Sequence, residues 1–279
     1  MTEAFGVLRG AWRDPRGRFG ALVLLTVALA ALAGPLLLPD PLAQPDVLSA
    51  SRPPAAQHPF GTDQLSRDVL SRVVTGARIS LSVALLAVTL SMTLGAAVGI
   101  VAGYWGGAVD ATLMRLVDGA LAIPRLFVLL LLLAVWERVP LLALIFLIGV
   151  TGWFATSRLV RGEVLRLREE GYVRAAEALG ARRRRIIFRH LLPNALGPLL
   201  VAATLGVGDV ILLEAGLSFL GLGIQPPTPS WGGMILDSRE VMVSAPWTGI
   251  FPGLAIVITV LSANLFGDAL RDAVDPRSA

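Results

Sequence analysis

The chain has 279 residues, of which 55% are hydrophobic and only 16% charged, with a formal net charge of +4. Soluble domains carry about 25% charged residues, so this polar surface is too small for a water-soluble globule and the long apolar runs point to a polytopic membrane protein. All 24 basic residues are Arg and there is no Cys, which excludes a P-loop or Schiff-base lysine, a thiol nucleophile, a disulfide and a thiolate metal site.

His58 and His190 lie too far apart in sequence to build a histidine-rich metal site by themselves. No cofactor, metal or nucleic acid is expected on this chain, and it is not expected to be an enzyme.

A helix needs about 20 apolar residues to cross ~30 Å of hydrocarbon, and six stretches qualify. Residues 1–18 form a basic N-terminus with four Arg, followed by a first span over Phe19–Leu38. Ala31-Leu32-Ala33 before Gly34 resembles a signal-peptide cleavage site. The apolar run continues through Leu36-Leu37-Leu38, so an uncleaved anchor is expected.

Residues 39–78 form an external segment rich in Pro and polar residues. Apolar Leu65, Val69, Leu70 and Val73 recur at helical spacing, which predicts a short helix over 61–72 lying on the membrane surface or packed on the bundle. The second span, Ile79–Gly103, carries Gly95, Gly99 and Gly103 at intervals of four. Such a stripe lets helix backbones approach closely, and ordinary bundle packing is the reading it supports.

The third and fourth spans, Ala111–Val135 and Val139–Ser157, are joined through Trp136-Glu137-Arg138; a single re-entrant hairpin is the competing reading. Arg115 and Asp118 are spaced to pair on one helical face, and Arg125 follows Pro124, where a kink frees a carbonyl. The fifth and sixth spans are Ala195–Ala215 and Thr248–Leu270, with Asp209 and Glu214 inside the fifth. Residues 271–279 form the C-terminus, and 79–270 a transmembrane core.

Sixteen Arg flank the spans on the side of both termini and the 158–194 loop, against six on the opposite side. This bias makes the termini and that loop cytoplasmic.

Within the loop, Glu170–Ala181 reads as a short helix. Glu170, Arg174 and Glu177 form a polar stripe spaced for charge pairs, while Tyr172, Ala176 and Leu179 occupy another side and Gly180 supplies a stop. Small residues with two larger anchors suit a helix that sinks into a groove on another protein. An amphipathic helix held on anionic lipid by the arginines is the rival reading.

This loop resembles the EAA loop of inner-membrane permeases of ABC importers. In that motif Glu-Ala-Ala is followed by three residues, Gly, nine residues and Ile-x-Leu-Pro. Ala175, Ala176, Gly180, Leu192 and Pro193 match in register, with Arg174 in place of Glu and His190 in place of Ile. Two further segments resemble the dipeptide, oligopeptide and nickel branch, 61–72 with 76–81 and 214–223 followed by 226–232, so that with the loop three motifs stand in the right order.

The resemblance implies an all-α membrane protein of six transmembrane helices with the MetI-like type I importer permease fold. It implies the C-type subunit of an ATP-driven importer, most commonly for di- or oligopeptides, in the bacterial inner membrane. Its partners would be a B-type permease subunit, two ATPase subunits that bind ATP and Mg, and an extracytoplasmic substrate-binding protein.

Tyr172, Val173, Ala175, Ala176, Leu179, Gly180 and Ala181 would then make the ATPase contact. Trp153, Phe154, Asp209 and Glu214 are candidates for the pathway. An ion-coupled secondary transporter is the alternative and would need a carboxylate relay and commonly an internal repeat. An intramembrane enzyme lacks every catalytic motif searched for.

Overall fold

In the computed structural model of the chain, residues 2–44 and 49–274 are described, and among them there is no β-strand, only two isolated bridges. Helix α1 (Thr2–Arg13) leads into α2 (Pro15–Leu37). The second helix starts four residues before the expected span because Asp14 accepts from the Arg16 N–H at 2.8 Å and Pro15 stands at the first helical position, where its missing N–H costs nothing.

Helix α3 (Val69–Trp105) has 37 residues and, at 1.5 Å per residue, is about 55 Å long. The separate short helix expected over 61–72 is absent. Residues 61–68 form a folded loop instead, in which Asp63 accepts from the backbone N–H of Leu65 and Arg67, and Ser66 takes a positive φ of 62°. Helix begins only where Asp68 caps it by accepting from the Ser71 N–H at 2.8 Å, and it then runs into the second span without a break.

The apolar stretch expected as a single third span is two helices, α4 (Gly107–Leu121) and α5 (Arg125–Leu133), bent by 77°. Pro124 has no N–H to give and its ring clashes with the carbonyl four residues earlier, so the chain turns there. Helix α6 (Leu141–Arg168) overruns the expected end at Ser157 by three turns.

The loop beyond α6 folds into α7 (Gly171–Ala178) and α8 (Arg183–Ile186). A π-helical turn (Ile187–Leu191) then joins α9 (Leu192–Phe219). At the opposite end lie α10 (Trp231–Ser238), which the apolar pattern was too short to signal, and a 3-10 turn (Arg239–Val241). Helix α11 (Trp247–Val274) returns to the α7 end. Five helices are long and apolar enough to cross a bilayer, or six if the bent pair counts as one span.

Helices α3 and α6 form the most extensive pair, and the glycine stripe explains why. A Cβ on Gly95 would fall 2.5 Å from the Thr156 Cβ, on Gly99 2.6 Å from the Ser157 carbonyl oxygen, and on Gly103 2.9 Å from the Val164 Cβ. The stripe therefore serves bundle packing, as its spacing suggested.

The main core joins Val83, Ala87, Leu129, Leu144, Ile148, Ile211 and Trp231. Outside it, Leu25, Leu29 and Leu32 on α2, Leu85 on α3, and Val257 and Leu261 on α11 are exposed, an apolar surface that only a bilayer or another apolar subunit would cover.

Candidate functional site

Two features stand out, an exposed loop-helix surface at the α7 end and a charged cavity in the middle of the bundle. Helix α7 is too short to be stable alone, and one apolar side chain anchors it to the bundle. Val173 is fully buried in a cluster with Val164 and Leu167 of α6 and with Ile186 and Leu191. Val173, grouped by sequence with the contact residues, thus points into the chain's own cluster and joins α7 to the end of α6 and the start of α9.

The other residues of that group lie at the surface. Tyr172 is 43% exposed and Leu179 89%, while Ala175 and Gly180 are exposed and Ala176 and Ala181 half-buried. The Tyr172 hydroxyl accepts from Asn194 Nδ2 at 3.1 Å, which ties α7 to α9. The expected charge pairs within α7 do not form; Glu170 binds Arg166 of α6 at 3.1 Å and Arg174 binds Glu169 in the turn between the two helices.

Gly180 ends the helix at φ 76°. Its N–H donates to the Glu177 carbonyl at 2.9 Å and that of Ala181 to the Ala176 carbonyl at 3.0 Å, the paired closure of a Schellman cap. Beyond it, Ala176, Leu179, Gly180, Ala181, Arg182, Arg185 and His190 line a concave surface of about 500 Å³.

Two ion pairs link α4 to the end of α6. Asp110 binds Arg161 at 2.5 and 2.6 Å, and Asp118 binds Arg158. The latter replaces the local Arg115–Asp118 pair expected from spacing, because the polar extension of α6 brings Arg158 alongside.

The second feature is a cavity of about 250 Å³ lined by Val88, Ser91, Arg125, Gly152, Thr156, Gly206 and Asp209 among others. These positions fall near the middle of α3, α6 and α9. Arg125 Nε donates to Thr151 Oγ1 at 3.2 Å and Nη2 donates to the Ile148 carbonyl. The carbonyl it caps is thus one on α6, not one freed at the Pro124 kink. Gly152 makes room for it, since a Cβ there would sit 2.9 Å from Arg125 Nη2 and 2.8 Å from Ser91 Oγ.

Of the four pathway candidates, only Asp209 lines this cavity. Trp153 and Phe154 are half-buried and tilted on one another at 4.4 Å. Glu214 is fully buried, accepting from Ser218 Oγ at 2.7 Å and Ser80 Oγ at 3.3 Å, and it is not among the residues that line this cavity. These hydroxyls, Ser80 on α3 and Ser218 on α9, join the two helices through its carboxylate. Arg125 was visible in the sequence as a charge inside a span, a functional signal by default; Gly152 carried no such signal.

Residues 95–279 match the family described as the binding-protein-dependent transport system inner membrane component. The dipeptide transport system permease protein DppC of Alkalihalophilus pseudofirmus is 43% identical over 99% of this chain and 89% of its own length. The oligopeptide transport system permease protein OppC of Bacillus subtilis is 38% identical over 95% of this chain and 90% of its own length. The glutathione transport system permease protein GsiD of Pectobacterium atrosepticum is 37% identical over 97% of this chain and 92% of its own length. With its long apolar helices, bent third span and exposed loop helix, the chain belongs to the family of inner-membrane components of binding-protein-dependent transport systems.

Proposed function

We propose that this chain is one of two unlike permease subunits of an ATP-driven importer, that it encloses half of the path, and that the cargo is a di- or oligopeptide. The names of the relatives support the cargo class. The arginine bias supports cytoplasmic termini and a cytoplasmic α7. The observation that carries the coupling assignment is the Val173 anchor beneath an outward face of Tyr172, Ala175 and Leu179.

A helix gripped by an ATPase on that face cannot move alone. Val173 and the Asn194–Tyr172 bond transmit its displacement to α6 and α9, whose ends share its cluster. Closure of two ATPases would then tilt these helices and switch access to the path, a rigid-body transition of the hinge and shear type. The differential free energy that such a switch requires comes from ATP and Mg bound by the partner chains.

Because the chain has no Cys, one introduced thiol gives an unambiguous test. Leu179→Cys should cross-link to an ATPase subunit of the assembled importer. Val243→Cys, fully exposed at the other end of the bundle, should not, and should react with an impermeant reagent added outside. Labelling of Leu179→Cys from outside would sink the assignment.

A further inference from the structure

Resting on the peptide-importer reading, we propose that Arg125 and Asp209 form a two-charge recognition point inside the path, the guanidinium taking the carboxylate of a zwitterionic peptide and Asp209 its ammonium group. Both residues line the same mid-bundle cavity. Among the described residues Arg125 has no carboxylate within ion-pair distance and Asp209 no cation. The two unlike charges face one cavity without closing into an ion pair, and unpaired ionisable groups within a span are candidates for contact with cargo.

The local construction agrees. Arg125 is oriented through Nε and Nη2 by Thr151 and Ile148, and among the described residues Nη1 has no hydrogen-bond acceptor. A guanidinium has five donors in a fixed fork, so the free edge can take a carboxylate. The bend at Pro124 starts a new helix at Arg125 and so turns this side chain into the cavity. Gly152 and Ser91 leave the space around it, and Gly206 and Ala202 keep the α9 wall low beside Asp209.

The surroundings are otherwise apolar or hydroxylic: Val88, Met92, Ala155, Thr156 and Val210. Such a site recognises the two termini that peptides share and ignores the side chains between them. One path can thereby serve peptides of different sequence, with a neutral solute left unsatisfied by either charge.

The test uses the complete importer in proteoliposomes with an excess of its binding protein and labelled L-alanyl-L-alanine as probe. Uptake per assembled complex is measured together with the ATP hydrolysed per peptide delivered. Arg125→Gln and Asp209→Asn are each expected to lower uptake about tenfold or more, the scale of one lost charge-assisted hydrogen bond, and to raise the ATP cost per peptide. Arg125→Lys and Asp209→Glu, which keep the charge, should restore much of both.

Structural damage that only removes working complexes would leave the ATP-to-peptide ratio at its wild-type value, and that result overturns the proposal. So does unchanged uptake in the neutral variants, or failure of the charge-keeping variants to recover. A wild-type importer that carries neither alanyl-alanine nor longer alanine peptides overturns this proposal and the peptide reading together, whereas normal wild-type uptake with indifferent variants overturns this one alone.

Discussion

At Gly180 the chain needs a left-handed residue, and a side chain there is strained even though nothing lies within 4 Å of its place. The cost of the conformation, roughly 1–2 kcal/mol, falls on the helix stop alone, and the added bulk meets no described residue of the chain; on the proposed coupling role it would meet the ATPase. Gly180→Asp should therefore insert normally and lose transport, as judged by membrane-fraction yield and proteoliposome uptake. Gly99 is the opposite case, because its neighbour is the Ser157 carbonyl oxygen, which belongs to backbone. Gly99→Val should part α3 from α6 and cost about 1–3 kcal/mol, read as a lower unfolding temperature in detergent. Both glycines are marked in the sequence by motif or by period. Gly152 is not, since the side chain it admits comes from a helix more than 25 positions away.

Helices α6 and α7 behave as one element. Apolar composition ends α6 near Ser157, but intrahelical hydrogen bonding continues to Arg168, sustained by Arg161–Asp110 and by Arg168 donating to the Gly103 carbonyl at 3.2 Å. This stiff extension carries the Val173 cluster. Val173→Ala removes two methyl groups from a site with no exposure and should cost on the order of 2 kcal/mol. Hydrogen exchange over residues 171–178 should speed up while exchange in α3 stays slow, and uptake should fall with ATPase docking retained. Exchange unchanged over 171–178 would show that α7 is held by something other than this anchor. The bend between α4 and α5 belongs to this scale too: Pro124 was legible as a kink, but not its 77° angle, which depends on where α6 lets α5 lie.

Across the whole molecule, a buried charge network closes the end opposite α7. Asp63 binds Arg67 at 2.7 Å and also Arg72, and Arg72 reaches Asp237 of α10 at 3.0 Å. Arg67 and Arg72 entered the charge count as external loop arginines, yet they are 6% and 4% exposed and serve to join the 61–68 loop to α10. Asp63→Asn leaves two buried guanidinium groups short of a charge, at roughly 3–5 kcal/mol. Thermal unfolding of the purified protein in detergent should move down accordingly, and an unmoved midpoint would mean that solvent already reaches this network.

Sequence alone determined what depends on counting and period: the membrane class, the position of five spans, the glycine stripe on α3, and the loop helix with its glycine stop. Each is a local property, set by apolar run length, helical spacing or one residue's conformational range. Only the tertiary structure decided which charges meet and which stay apart. Asp118 went to Arg158, Glu214 to two serines, and Arg125 with Asp209 to the walls of one cavity. Such pairings join helices distant along the chain, and neither run length nor spacing carries information about what lies across a helix interface.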